Sequence, residues 1–547
     1  MTTRAAGPRG LPLARYGAPI GALILALATA APAVAATAGW VGADGDDWSA
    51  GSSWSIGAPP VDGDAVTFPI APPDASSVDD LPNVTLGGIT SAGAWTVEPA
   101  NDAAVTLAGP MSVDLAGQDP EGSRQFLWLV PLITTEPVVI TSSYDAGILS
   151  LRAPVTGGQP LTVAGPGQVL FQRGPNAISD LVVDGATAGR ADLNVPDASP
   201  ATARVEPGAA LGFGDGTYDF PIEVGGDGTA SPVDPSSWAP GALRVRSNGQ
   251  DVQPVLAGPV TLTAAATFAT AAATDTSALT FAGPVDGGAP LTVVGAGTMT
   301  FSGSVSVASL TSTVRRLVVT GPVDGPVSVG AGSTISGSGS VAGLEVNPDG
   351  GLDVTVDGDT SSHLTSSGPV TVNGALTVDA TSLPATGQQV LLVDNRSGQP
   401  VTGTFAGLPE GASLTLGGEP WQISYVGGDG NDIVIRRTVD ATPSSTPSPT
   451  ASVAPTQKPS TSEAEPTLLP VGSAEQSPAP SPTPGAAALS SAPPQDWTTG
   501  PADLADTGSS LGRAAALLGP ALVLAGAGML ALRRRARRLE RGREGGR

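Results

Sequence analysis

The chain has no cysteine, one histidine and one lysine among its 547 residues, and aromatic side chains make up only 4% of it. The lack of cysteine excludes disulfides, a thiol nucleophile and any thiolate-ligated metal. With His363 as the sole histidine, a Ser-His-Asp triad can form only through it, and no His-rich metal pattern exists. The one literal Gly-x-Ser-x-Gly, residues 508–512, has no strand-turn-helix context for a nucleophile elbow. Positive charge is scarce too: 25 Lys and Arg stand against 49 Asp and Glu, a formal net charge of −24. Residues 1–35 and 508–547 hold 12 of the arginines and 2 of the glutamates, so the stretch between them carries −34. Such an acidic surface repels nucleic acid and anionic membranes, and nucleic-acid partners are excluded.

Long apolar runs occur only near the two ends. Arg4, Arg9 and Arg15 precede a mostly apolar stretch, residues 18–31, and Ala33-Val34-Ala35 fits a signal-peptide cleavage site, placing the cut after Ala35. At the other end Leu504-Ala505-Asp506-Thr507-Gly508 is followed by an apolar stretch over 514–532, long enough to cross a bilayer as a helix. Seven arginines between 533 and 543 then hold the tail, residues 533–547, on the cytoplasmic side.

That order resembles the cell-wall sorting signal of Gram-positive surface proteins, in the LAxTG variant of LPxTG that is similar to the form used by actinobacterial class E sortases. The resemblance implies that a sortase cysteine attacks the Thr507 carbonyl and passes Thr507 to an amino group of peptidoglycan or of another surface protein. It also implies a membrane-held precursor and a final place at the cell wall.

Between residues 438 and 503 the chain is dominated by Pro, Ser, Thr and Ala. Too little bulky apolar surface is present to offset the entropy of folding, so a disordered, solvated stalk is expected, spanning about 45 Å as a coil and about 200 Å as polyproline II. Residues 36–437 differ. Runs such as Leu161-Thr-Val163, Leu181-Val-Val183, Leu317-Val-Val319 and Val370-Thr-Val372 are short, rich in Val, Leu and Thr, and set among Gly, Pro, Asn and Asp. No helical periodicity interrupts them, and the region reads as all-β. Residues 151–171 align without gaps to residues 281–301. Short strands, Gly-rich corners and internal repetition suggest a solenoid, with tandem β-sandwiches as the competing architecture. Coils of roughly 20 to 25 residues, rising about 4.8 Å each, would give a rod on the order of 80 to 95 Å.

The repeats resemble the passenger-associated, autotransporter-type β-strand repeats of bacterial surface β-helices. Leu161-Thr-Val163, Gly165-x-Gly167, Val169-x-Phe171 and Gly174-x-Asn176 match the family's strand, turn, strand and corner; the second copy keeps Gly295-x-Gly297 but has no Asn after Gly303. Trp40, Trp48, Trp54, Gly57, Pro60, Gly63, Asp64, Val66 and Phe68 are similar to the Trp-rich opening of such helices, with Ser53 in place of the usual Asn. Residues 362–378, 403–411 and 423–432 are similar to the family's terminal rungs, where His363 falls in a packing position. The resemblance implies a right-handed parallel β-helix: an N-terminal cap over 36–100, repeats over 101–380 and terminal rungs over 381–437.

Residues 427–435 match the Ca²⁺-binding nonapeptide letter for letter, so Asp429 and Asp432 are candidate Ca²⁺ ligands, although β-roll sites need stacked copies and this chain has one. Trp40, Trp48 and Trp54 either close the open end of the core or stack on sugar. Asp353 and Asp357 share one face of a strand by period two, as the carboxylates of polysaccharide-cleaving β-helices do, yet the only Arg or Lys between Leu317 and Val434 is Arg396. The expectation is a non-enzymatic structural or adhesive surface protein; in an adhesive role its ligand would be an extracellular glycan or protein. A polysaccharide-active enzyme and a lectin-like glycan binder are the alternatives.

Overall fold

The computed structural model describes residues 35–437, except 73, 119–123, 230–239, 247–250, 272–276 and 386. Ala33, the stalk, the sorting motif, the apolar stretch 514–532 and the arginine tail lie outside the described residues. Among those described, the chain is all-β apart from two single-turn 3₁₀ segments, and no helix is long and apolar enough to cross a membrane.

Up to residue 256 the strands span two to five residues, bounded by Gly, Pro and Asp, while Val260–Ala269, Pro290–Phe301 and Ser309–Val319 run ten to twelve. Most pair in parallel with a strand one turn further along the chain. Val66 sits beside Ile89, then Met111, Ile140, Val163, Val183, Val205, Val224 and Leu262, each the register partner of the one before. A second column runs Trp128, Leu151, Phe171, Leu193, Phe213, Val245. All of these side chains are buried. Successive coils stacked in register, with one apolar column per strand, form a parallel β-solenoid.

Pairing begins at Thr37–Gly39 and the parallel ladders continue to Thr402–Gly403, so the Trp-rich segment is itself built of rungs. The coil length varies more than the sequence suggests. Leu181 follows Leu161 by 20 residues and Val327 follows Leu310 by 17, whereas Leu262 follows Val224 by 38. Val224 and Leu262 are nevertheless register partners, so the inward column survives the longer connection. At the C-terminal end parallel stacking gives way to antiparallel pairing: Gln389–Asn395 pairs with Asp432–Arg437, which pairs with Glu419–Gly427, which pairs with Ser413–Leu416.

The repeated segments occupy equivalent places. Val155–Thr156 and Val285–Asp286 each lead into a Gly-Gly corner and then into Leu161–Ala164 and Pro290–Phe301. In the first copy Asn176 secures the neighbouring corner: its Oδ1 accepts the Val155 N–H and its Nδ2 donates to the Ala198 carbonyl. The first glycine of the corner is forced. Gly157 has φ +114°, a region closed to other residues, and a Cβ there would lie 1.9 Å from the Thr134 carbonyl oxygen of the previous coil. Gly158, at φ +70°, has nothing within 4 Å. Gly157→Ala is therefore expected to destabilise the solenoid by roughly 3 kcal/mol and Gly158→Ala by about 1 kcal/mol. Denaturant unfolding of the two variants checks this, and equal costs would refute the assignment of the first position as the strained one.

Candidate functional site

Trp40, Trp48 and Trp54, which the sequence left open as sugar-stacking residues, are 2%, 0% and 2% exposed. They fill the first coils edge to face, Trp54 lying 5.0 Å from Trp40 and 5.4 Å from Trp48, with Phe68, Trp95, Phe126 and Trp128 continuing the cluster. Trp54 Nε1 donates to the Trp48 carbonyl and Trp48 Nε1 to Ser77 Oγ. The stacking role is thus corrected: rings that plug the end of an apolar core present no face to a sugar.

Next to this plug lies a carboxylate that sequence reasoning missed. Asp79 is 3% exposed, and burial pushes its carboxyl up to about 6, against the bond it accepts from the Leu81 N–H and with a small push from Asp80.

The GGDGND segment forms the turn joining Glu419–Gly427 to Asp432–Arg437. Asp429 is exposed, while Asp432 is buried and its Oδ1 accepts the Asn395 N–H at 2.9 Å. Asn395 Nδ2 donates to the Gln399 and Asn431 carbonyls, and its Oδ1 accepts from Ser397. Burial raises the Asp432 carboxyl, opposed by the Asn395 N–H. A Cβ on Gly428 would lie 1.7 Å from Asp432 Oδ2, so the second glycine of the motif makes room for this carboxylate. Gly428, Asn431 and Asp432 thus belong to a polar knot closing the last strands, with the Asp429 side chain outside it, and among the described residues no group of three or more His, Asp or Glu side chains gathers as metal ligands.

Asp353 and Asp357 do share the outward face of Gly351–Asp357, while Val354 and Val356 point in. Asp357 accepts a hydrogen bond from Ser382, and Arg396 is held by Asp394 at 2.7 Å. His363 is half-buried with Nδ1 3.2 Å from the Ser361 carbonyl.

Two further features were not legible in the sequence. On the outer face of the coils between 168 and 246, Asp192 pairs with Arg244 at 3.2 Å with both side chains buried, and Gln168 Nε2 donates to the same carboxylate. The pair spans two coils, across Gly212, where a Cβ would lie 1.8 Å from Asp192 Oδ1. Arg246 reaches Asn194 across Gly214 in the same way. Burial lowers the Arg190 guanidinium, with Arg244 adding to the effect. Separately, a shallow groove of about 360 Å³ crosses the outer face where Thr311, Ser328, Glu345 and Thr371 are successive register partners beside Pro326 and Pro369. Ser328 donates to Glu345 at 3.0 Å and Asn347 to Ser328 at 2.9 Å.

No family model matches the chain, and no curated protein matches it. Among solved structures it is similar to the crystal structure of the Haemophilus influenzae Hap adhesin, at 12% identity and a TM-score of 0.15, over 69% of this chain. The chain spans 64% of that adhesin's length. The solenoid assignment rests on the strand pairing above, not on this likeness.

Asp79 gives a signed expectation. A carboxyl raised in the fold from its ordinary 3.8 to about 6 favours the folded state when protonated. Its penalty is absent below about pH 4, grows as pH rises, and is complete above about pH 6. Asp79→Asn is expected to stabilise the protein at pH 7 by on the order of 2 kcal/mol and to lose that advantage near pH 4. Thermal melts of both forms at the two pH values test this; a gain independent of pH would show that the carboxyl is not the cause.

Proposed function

We propose that this is an exported, sortase-anchored surface protein with a structural or adhesive role and no catalytic one, its solenoid displayed on a Pro/Ser/Thr stalk and fixed through Thr507 to peptidoglycan or to another surface protein. The observation that carries the reading is the order of Leu504–Gly508, the apolar stretch 514–532 and the arginine cluster that follows. A stop-transfer segment holds the chain in the bilayer while the pentapeptide stands outside, within reach of a transpeptidase. The solenoid supports display because its side chains are spent on stacking. His363 meets Ser361, and the one basic residue in the acidic region around Asp353 and Asp357 is engaged by Asp394.

Mass spectrometry of wall fragments tests the anchoring. The expected species ends at Thr507 and carries a peptidoglycan amine or a surface-protein lysine on its carbonyl. Thr507→Ala should move the protein into the detergent-soluble membrane fraction with its C-terminus intact. Native protein still ending at Arg547, and freed by detergent rather than by wall-digesting enzymes, overturns the reading.

A further inference from the structure

The solenoid ends unevenly. The strand Ala375–Ser382 lies on Gly351–Asp357, with Leu376 beside Leu352, Val378 beside Val354 and Ala380 beside Val356. One coil back these inward residues are 1%, 1% and 0% exposed, whereas Leu376, Val378 and Ala380 are only half-buried. Among the described residues Ala375–Ser382 forms a ladder with Gly351–Asp357 alone, and Ser413–Leu416 approaches it without pairing.

The direction of its peptide groups follows from its first bonds. The Ala375 N–H donates back to the Gly350 carbonyl, and the Gly374 carbonyl accepts from Ala406 on the other side. Alternate residues of a parallel strand bond to alternate neighbours, so Leu376, Val378 and Ala380 present their N–H and C=O groups to the open edge. The gap is bounded at one end by Ala406 and at the other by Ser413–Leu416 and by Gly417, where a Cβ would meet Leu383. It is an edge of about five residues with an apolar inner lip.

The outer face of the same two strands is acidic. Asp353 lies beside Thr377, Asp379 beside Thr355 and Asp357 beside Ser382, with Asp359 at the adjoining turn. Residues 317–434 contain twelve acidic residues and, in Arg396, one basic residue. Edge-to-edge pairing with a second copy would bring these carboxylates together, which cross-strand energetics disfavour. A strand carrying Lys or Arg on its outward face meets complementary charge.

We propose that Ala375–Ser382 is a docking edge that accepts an extended, cationic polypeptide segment as an added β-strand. Backbone bonds to Leu376, Val378 and Ala380 hold the segment, its inward side chains complete the core over Leu376 and Val378, and its outward cations face Asp353, Asp357 and Asp379. The docking is independent of how the chain is anchored.

Two fluorescent eight-residue peptides alternating Val or Thr with Lys, or with Glu, are titrated against the purified full-length protein and followed by anisotropy. The Lys peptide is expected to bind at least about tenfold more tightly than the Glu peptide. The same Lys peptide N-methylated at alternate residues should lose binding, because its charge is kept while its edge donors are gone. Val378→Pro, which removes an N–H from the open edge and none from the existing ladder, should abolish binding. Asp379→Lys, at an exposed position that leaves the core untouched, should weaken it about tenfold. Equal binding of the N-methylated peptide would reduce the effect to diffuse charge attraction and overturn the proposal. So would indifference to Asp379→Lys, no binding at all, or closure of the edge by dimerisation in sedimentation.

Discussion

Everything in the solenoid depends on stacking in register. Each strand is too short to be stable alone, and the pair it forms with the next coil is useful only if the inward residue lands on an inward residue. A slip of one residue would turn Val163, Val183 and Val205 out to solvent together. The corners enforce the register. Gly157 under the Thr134 carbonyl leaves no room for another side chain, and Asn176 ties its own coil to the ones before and after it. Variable coil length is tolerated so long as inward residues still meet, as Val224 and Leu262 do across the longest of these connections.

The same constraint explains the buried charges. A glycine at an outward position is a gap in the side-chain layer, and at Gly212 and Gly214 residues two coils apart meet through it. The Asp192–Arg244 pair adds little net stability over an apolar pair of the same shape. Removing one partner would leave a charge buried without compensation, at a cost of about 3 to 5 kcal/mol. That asymmetry makes the pair a check on register: Asp192 can meet Arg244 in only one alignment of the coils.

How much of this is legible in sequence depends on whether the signal is local. Strand character is local, so Leu161-Thr-Val163 or Leu317-Val-Val319 reads correctly from Val, Leu and Thr between breakers, and the alignment of 151–171 with 281–301 marks two equivalent corners. The solenoid itself could be inferred because repetition is visible along the chain. Sugar-facing and core-facing tryptophans share one local pattern, and only the packing of Trp40, Trp48 and Trp54 around Phe68 separates them. Contacts such as Gln168 to Asp192 to Arg244 span up to 52 residues and leave no spacing to read. The GGDGND segment shows the opposite hazard. Its letters match a metal loop, while in the fold Gly428 makes room for Asp432, whose carboxylate accepts the Asn395 N–H.

The two ends are closed by different physics. The first coils are plugged by aromatic rings, a seal that excludes water. The described chain leaves at Arg437, at the end of Asp432–Arg437, and this strand is the central member of its antiparallel group, bonded on one side to Gln389–Asn395 and on the other to Glu419–Gly427. Ile433, Val434 and Ile435 are fully buried, Arg437 pairs with Glu419 at 3.0 Å, and Asp432 is tied to Asn395. Freeing this strand requires breaking two ladders and opening an apolar core, where an edge strand such as Ala375–Ser382 has one ladder to lose.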